Sequence, residues 1–360
     1  DSDTEKDESG PYALHTLGED ETIARLATGI KRFKLPDEFN FVKIIRELVD
    51  SKGYGDQPSS MLAQIFENRR QYPKAAEVWR QAIKDYGDGG PDNHWRQKRL
   101  DQIVGNWGTF EPVMTAPGGK GATVDFRFRN ATKVSFEAHE IDVPALLHDV
   151  KDYLKAHPRQ LDWQRMNLAD IGYRLVVENQ AKYIGRQAAA WDMPLKPRAN
   201  HYDSRVTVAT TLQSAGAYLV TARVADGNVS RIILWVADTA IVQKQLDKQA
   251  WFFVADATGG QPVAKANLEF LGYQQKYIQD DVKRGQGHNE TETRDFAEFT
   301  DADGQLILKP GQIDNNWQWL ITATTPAGRF AYLGFTGVWF NDYYDAAYNR
   351  RTTAGWVLGL

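Results

Sequence analysis

The stretch that decides the fold is residues 254–266, which read VADATGGQPVAKA. Alternating apolar residues lead into it and predict a strand that ends at Asp256. Thr258-Gly259-Gly260 then supplies a turn, and Pro262-Val263 begins a second strand that continues through Phe270. A strand, a tight turn and a strand that opens on proline are typical of an antiparallel sheet, not of a parallel sheet with crossover helices.

The same pattern continues toward the C-terminus. Asp301-Ala302-Asp303-Gly304 predicts a hairpin turn, whereas the polar residues 275–293 predict a mobile loop. Four alternate residues share one face of a later strand, namely Trp317, Trp319, Ile321 and Ala323. We therefore expect an antiparallel β-sandwich over residues 239–336, followed by a C-terminal tail over residues 337–360.

A second region of alternating residues begins at Thr123 on the N-terminal side. Its predicted strands carry buried positions at every second residue: Val124, Phe126 and Phe128, then Val134, Phe136 and Ala138, and later Tyr218, Val220 and Ala222. Residues at helical spacing interrupt the strands: Leu146, Val150 and Leu154, then Ile171, Leu175 and Val176. These patterns predict a first sandwich over residues 107–238 that contains a helical insert.

Residues 15–106 predict helices. Two helices joined near Tyr72 carry the small and large residues of a tetratricopeptide-like pair, in which a small residue lets the helices approach and a ring fills the gap. The packing residues are Leu62, Ala63 and Phe66 on the first helix and Ala75, Trp79 and Ala82 on the second. One such pair cannot bury its own face, so we expect it to pack on helices around residues 20–50 and 92–104. An ordinary helical hairpin is the alternative interpretation.

Composition and charge exclude several functions. The formal net charge of −4 and the pI of about 6.0 give no basic stripe for a nucleic acid. The chain has no cysteine, which excludes disulfides and thiolate zinc sites. No apolar run is long enough to span a membrane, and no signal peptide is visible. The acidic residues 1–14 predict a disordered tail.

Three motifs of the second predicted sandwich resemble a macroglobulin-type domain of bacterial alpha-2-macroglobulins: residues 254–266, residues 300–305 (TDADGQ) and residues 327–333 (AGRFAYL). The first predicted sandwich is similar to the N-terminal macroglobulin domain of that family at residues 126–130 (FRFRN), 134–138 (VSFEA) and 215–220 (AGAYLV). The helical start is similar to extensions of some cell-envelope members. The resemblance therefore implies a helical region followed by two macroglobulin, or immunoglobulin-like, sandwiches.

The resemblance also implies a function. The family inhibits endopeptidases by capturing a protease after a bait segment has been cleaved, and many members carry a Cys-x-Glu-Gln thioester. Both features lie downstream of the domains that these residues resemble, so we expect a chain truncated before them. It would be a scaffold without trapping activity of its own, located in the periplasm or at the cell surface. Proteases would be partners through the missing regions, and the helical region could dock another protein.

Candidate chemistry is sparse. His139-Glu140 lacks the second histidine of a zinc-peptidase helix, and residues 301–304 place glycine too early for a calcium loop. Neither a Gly-x-Ser-x-Gly elbow nor a phosphate-binding Gly-x-x-x-x-Gly-Lys segment occurs. We therefore predict no catalytic, cofactor-binding or metal-binding residue, and no enzyme. A glycosidase with two facing carboxylates is the third hypothesis.

The alternative function is a carbohydrate-binding or adhesion module of the cell envelope. Trp317, Trp319 and Trp339 could form a row of rings on which a sugar stacks. Core packing is the competing interpretation of these residues, and the solvent exposure of the rings distinguishes the two.

Overall fold

The computed structural model describes residues 13–246, 249–281 and 286–338. Nearly all of the acidic tail predicted for residues 1–14, and of the tail predicted for residues 337–360, lies outside the described residues. The described chain contains a helical region followed by antiparallel sheets, which confirms the predicted fold class.

The helical region contains four helices, α1 (Phe41–Ser51), α2 (Gln57–Asn68), α3 (Tyr72–Tyr86) and α4 (Trp95–Val104). The side chain of Asn40 accepts a hydrogen bond from the Lys43 amide and caps α1, which ends where Lys52 adopts a left-handed conformation. Pro58 and Pro73 occupy the first turns of α2 and α3, where the missing amide hydrogen has no helical partner. The expected turn at Tyr72 is therefore the start of α3.

The helix expected from residue 20 onward is wrong for residues 21–34. These residues form a hairpin of strands β1 (Glu21–Leu26) and β2 (Gly29–Lys34). Gly29 has φ +106°, a conformation that glycine adopts without strain and that reverses the chain. The short strands carry too few apolar residues for their period to be distinguished from that of a helix.

Two sheets form the first sandwich. Strands β4 (Ala116–Pro117), β10 (Val229–Ala237), β9 (Gly216–Val224), β6 (Lys133–Ile141) and β7 (Ile184–Pro194) lie in that order in the larger sheet. Strands β3 (Trp107–Phe110), β5 (Thr123–Arg129) and β8 (Ser204–Ala209) form the smaller one. All pairs are antiparallel except the two-residue pairing of β4 with β10. Phe126, Phe136 and Leu234 lie in the buried cluster between the sheets.

The insert follows β6 and contains α5 (Val143–Lys155), α6 (Trp163–Met166) and α7 (Ile171–Val176). Asp142 caps α5 by accepting a hydrogen bond from the Ala145 amide at 3.0 Å. Its predicted residues Leu146, Val150 and Leu154 are all buried. The helical period therefore correctly identified the side of α5 that packs against the protein.

The second sandwich also has two sheets. One consists of β11 (Thr239–Leu246), β12 (Gln249–Asp256) and β15 (Gln305–Leu308). The other has the order β14 (Gln286–Phe299), β13 (Asn267–Asp281), β16 (Gln318–Thr324) and β17 (Phe330–Gly337). Strand β13 begins at Asn267, and Pro262 makes only an isolated bridge to Ala255. Phe252, Phe270 and Trp319 are fully buried between the sheets.

The mobile loop expected over residues 275–293 is wrong wherever the structure describes those residues. They extend β13 and β14 into a long hairpin. Strand β16 pairs with β13 only from Asn267 to Tyr273, so the hairpin continues past its neighbour in the sheet. Its outer part is polar because water reaches both faces of a two-stranded ribbon, which removes the alternation expected of a half-buried strand.

Candidate functional site

The six predicted packing residues of the helical region lie together. Leu62, Ala63, Phe66, Ala75, Trp79 and Ala82 are each at most 2% exposed and share one buried cluster. The indole of Trp79 also donates a hydrogen bond of 2.8 Å to Glu67. Small residues at the crossing of α2 and α3 allow close approach of the two helices, while Val42 of α1 and Leu100 of α4 complete the cluster.

The helical region is fixed to the first sandwich by polar contacts. Arg129 donates to the Gln102 carbonyl, and Asn130 donates to the carbonyls of Ile103 and Gly105 at 2.9 Å. The hydroxyl of Tyr202 donates to the Arg70 carbonyl. These contacts satisfy carbonyls at the ends of α2 and α4, which have no partner within their own helices.

The three predicted tryptophans do not form one exposed row in the described residues. Trp319 is 0% exposed and packs edge-on against Phe270 and Phe296, with ring centroids 6.5 Å and 5.6 Å away. Trp317 is partly buried and stacks on Trp319. Trp339 lies outside the described residues. Trp319 therefore offers no surface to a sugar, whereas Trp317 retains some.

Two of the sequence motifs that carry the resemblance meet at one end of the second sandwich. The carboxylate of Asp256 accepts hydrogen bonds from the amides of Gly259 and Thr258, at 2.6 Å and 3.0 Å, and from Arg329 at 2.7 Å. The Gly259 amide, followed by Arg329, lowers the pKa of Asp256. Arg329 also donates to the Asp238 carbonyl, at the connection between the sandwiches.

The third motif closes the same end. The buried hydroxyl of Thr300 donates to the Val263 carbonyl at 2.7 Å and accepts from the Ala266 amide at 2.9 Å. Gly304 has φ +70°, and a side chain there would approach the Val254 carbonyl to 2.7 Å. Asp301 accepts from the amides of Asp303 and Gln305, which is the arrangement of a tight turn. The motifs thus serve the local fold.

The insert occupies the junction between the two sandwiches. A buried cluster, here called the junction cluster, joins α5 and α7 to both larger sheets. Leu146, Leu147, Val150 and Leu154 come from α5, Ala217 and Leu219 from the first sandwich, and Leu271, Tyr273 and Leu320 from the second. Leu320 is 0% exposed although its neighbour Trp319 faces the other way, so both faces of β16 are covered. The sequence analysis missed this second face.

Polar contacts surround the junction cluster. Lys151 and Lys155 of α5 form ion pairs with Glu269 and Asp295, at 3.1 Å and 3.4 Å. The Thr291 hydroxyl donates to the Pro158 carbonyl at 2.5 Å, and the ring of His157 contacts the Thr291 carbonyl at 2.8 Å. The hairpin of β13 and β14, which was expected to be a loop, therefore contacts the C-terminal end of α5 and holds it in place.

Helix α5 is also bonded to the short helix Ala181–Tyr183, which directly precedes β7 of the first sandwich. Asp149 of α5 accepts hydrogen bonds from Lys182 and from the Tyr183 hydroxyl, the latter at 2.6 Å. The hydrogen bond from Lys182, and then that from Tyr183, lowers the pKa of Asp149 below its usual value. Burial, followed by the bond to Asp149, raises the pKa of Tyr183.

A groove with a volume of about 640 Å³ lies where the sandwiches and the start of α5 meet. Trp235 and Tyr332 line it, with ring centroids 5.7 Å apart. The Tyr332 hydroxyl has no hydrogen-bond partner among the described residues, and burial raises its pKa. Glu140 at the rim forms a bidentate ion pair with Arg186, so the two charges neutralise each other.

No group of three His, Asp or Glu side chains within the described residues is placed to hold a metal ion. His139 lies on strand β6, and the adjacent Glu140 pairs with Arg186. No helix among the described residues is long and apolar enough to cross a membrane.

Comparisons with known proteins give structural matches only. No family model matches the chain, and no curated protein matches it. A crystal structure of native Escherichia coli alpha-2-macroglobulin spanning domains MG0-NIE-MG1 matches with 14% identity and a TM-score of 0.40, over 64% of each chain. A structure of the NIE-MG1 part matches with 15% identity and a TM-score of 0.38, over 64% of this chain and 97% of that one.

Longer proteins match over a smaller share of their length. The match to the native conformation of the Escherichia coli protein covers 64% of this chain and 12% of that chain, with 15% identity and a TM-score of 0.33. This chain thus spans less than two thirds of the first structure and about an eighth of the longer one. The described fold is similar to structures of bacterial alpha-2-macroglobulin domains.

Proposed function

We propose that this chain is the N-terminal scaffold portion of an alpha-2-macroglobulin-like endopeptidase inhibitor, and that protease capture requires parts of the protein outside these residues. The junction cluster is the observation that carries the proposal. It places helices of the insert between sheets of both sandwiches, so neither sheet can move away without exposing buried leucines. Burying a leucine contributes about 1.5–3 kcal/mol, so separating the two sandwiches at the junction would cost the free energy of several such side chains.

The sequence motifs support the proposal in a second way. Residues 254–266, 300–305 and 327–333 hold one end of the second sandwich closed, next to its connection with the first. Side chains committed to turns and to structural ion pairs are suited to transmitting force between domains. We infer that the chain acts mechanically and carries no chemistry of its own, and that it is located in the periplasm or at the cell surface.

A protein-docking role for the helical region is part of the proposal. Phe39, just before α1, is 65% exposed, and Phe41 and Ile44 of α1 are 36% and 41% exposed. Val42 and Ile45 of the same helix are buried. Helix α1 therefore carries apolar side chains on its exposed face as well as on its buried face. Exposed apolar patches of this kind mark interaction sites.

The test compares this chain with the full product of its gene. Each is incubated with elastase, a protease of broad specificity, and with elastase whose active-site serine has been blocked. We expect the full product to form a complex only with active elastase, and this chain to form none. Failure of the full product to form a cleavage-dependent complex would remove the inhibitor assignment, and a complex formed by this chain alone would contradict its role as scaffold.

A further inference from the structure

Strand β7 (Ile184–Pro194) is the outermost strand of the larger sheet in the first sandwich. It pairs with β6 along one side, and no strand among the described residues pairs with it along the other. Seven of its eleven residues are exposed, so water reaches most of the strand. A long open edge of this kind can pair with a strand of another chain, and proteins usually cover or shorten such an edge.

The hydrogen bonds to β6 identify the backbone groups that face the open side. The Leu195 amide donates to the Thr132 carbonyl at 2.8 Å, at the position that follows the last pair of β6 and β7 in the same register. Positions in an antiparallel pair alternate between those that bond the neighbouring strand and those that do not. Counting back from Leu195, Ala190 and Asp192 therefore direct their amides and carbonyls away from β6. None of these four groups forms a hydrogen bond within the described part of the chain.

The side chains on the core side of this edge are apolar and incompletely covered. Ala189, Trp191 and Met193 pack against the buried cluster of the first sandwich but remain partly exposed. The ring of Trp191 stacks on the buried ring of Phe136, its partner on β6, with centroids 5.1 Å apart. A strand added beside β7 would therefore cover apolar side chains in addition to bonding the four backbone groups.

The middle of β7 lacks the features that usually keep an edge strand from pairing, namely an interior proline or an unpaired charge. Its proline, Pro194, is the last residue of the strand. Its two charged side chains already have partners on β6. Arg186 forms an ion pair with Glu140, and Asp192 forms one with Lys133. Neither charge would be left without a partner if a second strand were added.

We propose that β7 pairs with β7 of a second copy of this chain, in an antiparallel dimer whose twofold axis passes beside Trp191. Ala190 then lies opposite Asp192 of the second copy, and the two residues exchange two hydrogen bonds, which the symmetry repeats. Trp191 lies opposite Trp191 of the second copy on the core side, where cross-strand aromatic pairs stabilise a sheet. A second copy fits because it carries the same groups at the same spacing. The proposal does not rest on the inhibitor function.

Other symmetric registers fit the strand less well. An axis beside Asp192 would place two aspartates directly opposite each other, which is destabilising, and would set Pro194, which has no amide hydrogen, at a bonding position. An axis beside Ala190 would pair Asp192 with Ala188 of the second copy. The register of β6 and β7 shifts at Ala188, so the alternation of bonding positions is interrupted there. The register centred on Trp191 is therefore the one that the regular part of β7 supports.

Sedimentation velocity of the full chain measures the association. Concentrations from about 10 µM to about 1 mM are needed, because one strand pair is smaller than a standard protein–protein interface. We expect the unaltered chain to show a monomer–dimer equilibrium. Ala190→Pro removes an amide that faces the open side, and an edge strand tolerates proline at such a position. Because each dimer loses two hydrogen bonds, the variant should associate about tenfold or more weakly.

Ala209→Pro is the matched control, on β8 at the edge of the smaller sheet. The Thr210 amide donates to the Ala122 carbonyl, so the same alternation directs the Ala209 amide away from β5. Ala209 is also exposed, and its proline variant should dimerise like the unaltered chain. An unaltered chain that stays monomeric throughout, or an equal loss of association in both proline variants, would overturn the proposal.

Cysteine crosslinking tests the register without proline. The pairing places Met193 opposite Ala189 of the second copy, with Cα atoms about 4.5 Å apart, within the roughly 4.4–6.8 Å that a disulfide spans. In a dimer of either single variant the two cysteines would lie four residues apart along the paired strands, about 13 Å. The sequence contains no other cysteine. An equal mixture of Met193→Cys and Ala189→Cys should therefore form disulfide-linked dimers at least roughly tenfold faster than either variant alone. Equal rates would show that β7 does not pair in this way.

Discussion

Two helical parts of this chain bury their apolar faces in different ways. The helical region packs α1 to α4 on one another and forms a cluster of its own, which includes Phe66 and Trp79. The insert has no such independent core among the described residues, because its leucines share the junction cluster with strands of both sandwiches. A similar helical pattern in sequence therefore produces a separate folding unit in one case and a connector in the other.

The two arrangements predict how far a local loss of packing should spread through the protein. Loss of packing in the helical region should stay within that region, which contacts the first sandwich mainly through polar groups at the ends of helices. Loss of packing in the insert should reach both sandwiches, since Leu219 and Leu320 belong to the same cluster as Leu146.

The largest effect is expected from emptying the two cores. Leu146→Ala and Leu62→Ala each remove a side chain that is at most 1% exposed, and each should cost about 2–5 kcal/mol of stability. Leu146→Ala should increase hydrogen exchange in α5, β9, β13 and β16, whereas Leu62→Ala should increase it only in α1 to α4. Region-resolved exchange is the measurement, because a chain of several domains need not unfold in one step.

Met61→Ala is the surface control for that pair, since Met61 is 56% exposed and should change stability by less than about 0.5 kcal/mol. If Leu146→Ala raised hydrogen exchange in the insert alone, the insert would pack on the first sandwich without connecting it to the second. The scaffold proposal would then lose the connection between the sandwiches that supports it.

A smaller effect is expected at the helix caps. Asp142→Ala removes the cap of α5 and Asn40→Ala that of α1, and each should cost about 1 kcal/mol because one backbone amide loses its partner. The cost of Asp142→Ala should appear in both sandwiches, and that of Asn40→Ala in the helical region. Asp152→Ala within α5 is the control, and exchange that rises equally in all regions for both cap variants would contradict the comparison.

The sequence predicts individual helices and strands better than it predicts which elements pack against one another. The spacing of Leu146, Val150 and Leu154 predicts a helix with one buried face, and the structure confirms it. It does not show that this face meets β16 of another sandwich, because that information lies in residues far away in the chain. The run Trp319-Leu320-Ile321-Thr322-Ala323 contained a clue, since all five residues are buried and a strand covered on both faces reads as continuously apolar.

The errors have the same origin. Residues 275–293 looked like a loop because the outer part of this ribbon has water on both faces and needs no apolar alternation. Residues 21–34 are too short and too basic to show a period. For Trp317 and Trp319, spacing predicts a shared face but not whether that face is solvent or core. The structure places Trp319 in the core, where it is 0% exposed.

The next effect concerns the brace between the insert and the long hairpin. Thr291→Val keeps the shape of a residue that is 1% exposed but removes the hydrogen bond to the Pro158 carbonyl. Loss of one such bond should cost about 0.5–1.5 kcal/mol and should increase exchange at the C-terminal end of α5. Thr293→Val, on the same face of β14, is the control, and equal effects of the two variants would show that the Thr291 hydroxyl does not hold the insert.

The smallest effect is a dependence on pH that should differ between the two helical parts. Because hydrogen bonds from Lys182 and Tyr183 lower the pKa of Asp149, its contribution is complete above the unfolded value of about 3.9 and is lost as the pH falls through the lower native value. Asp149→Asn should therefore destabilise the insert at pH 7 and progressively less below about pH 4.

Asp85, whose pKa is lowered by Gln81 and Lys52, is the counterpart in the helical region. Hydrogen exchange at both pH values should show Asp85→Asn acting on α3 and the end of α1, and Asp149→Asn acting at the junction. A pH-independent difference between Asp149→Asn and the unaltered protein would mean that the Asp149 charge contributes nothing there.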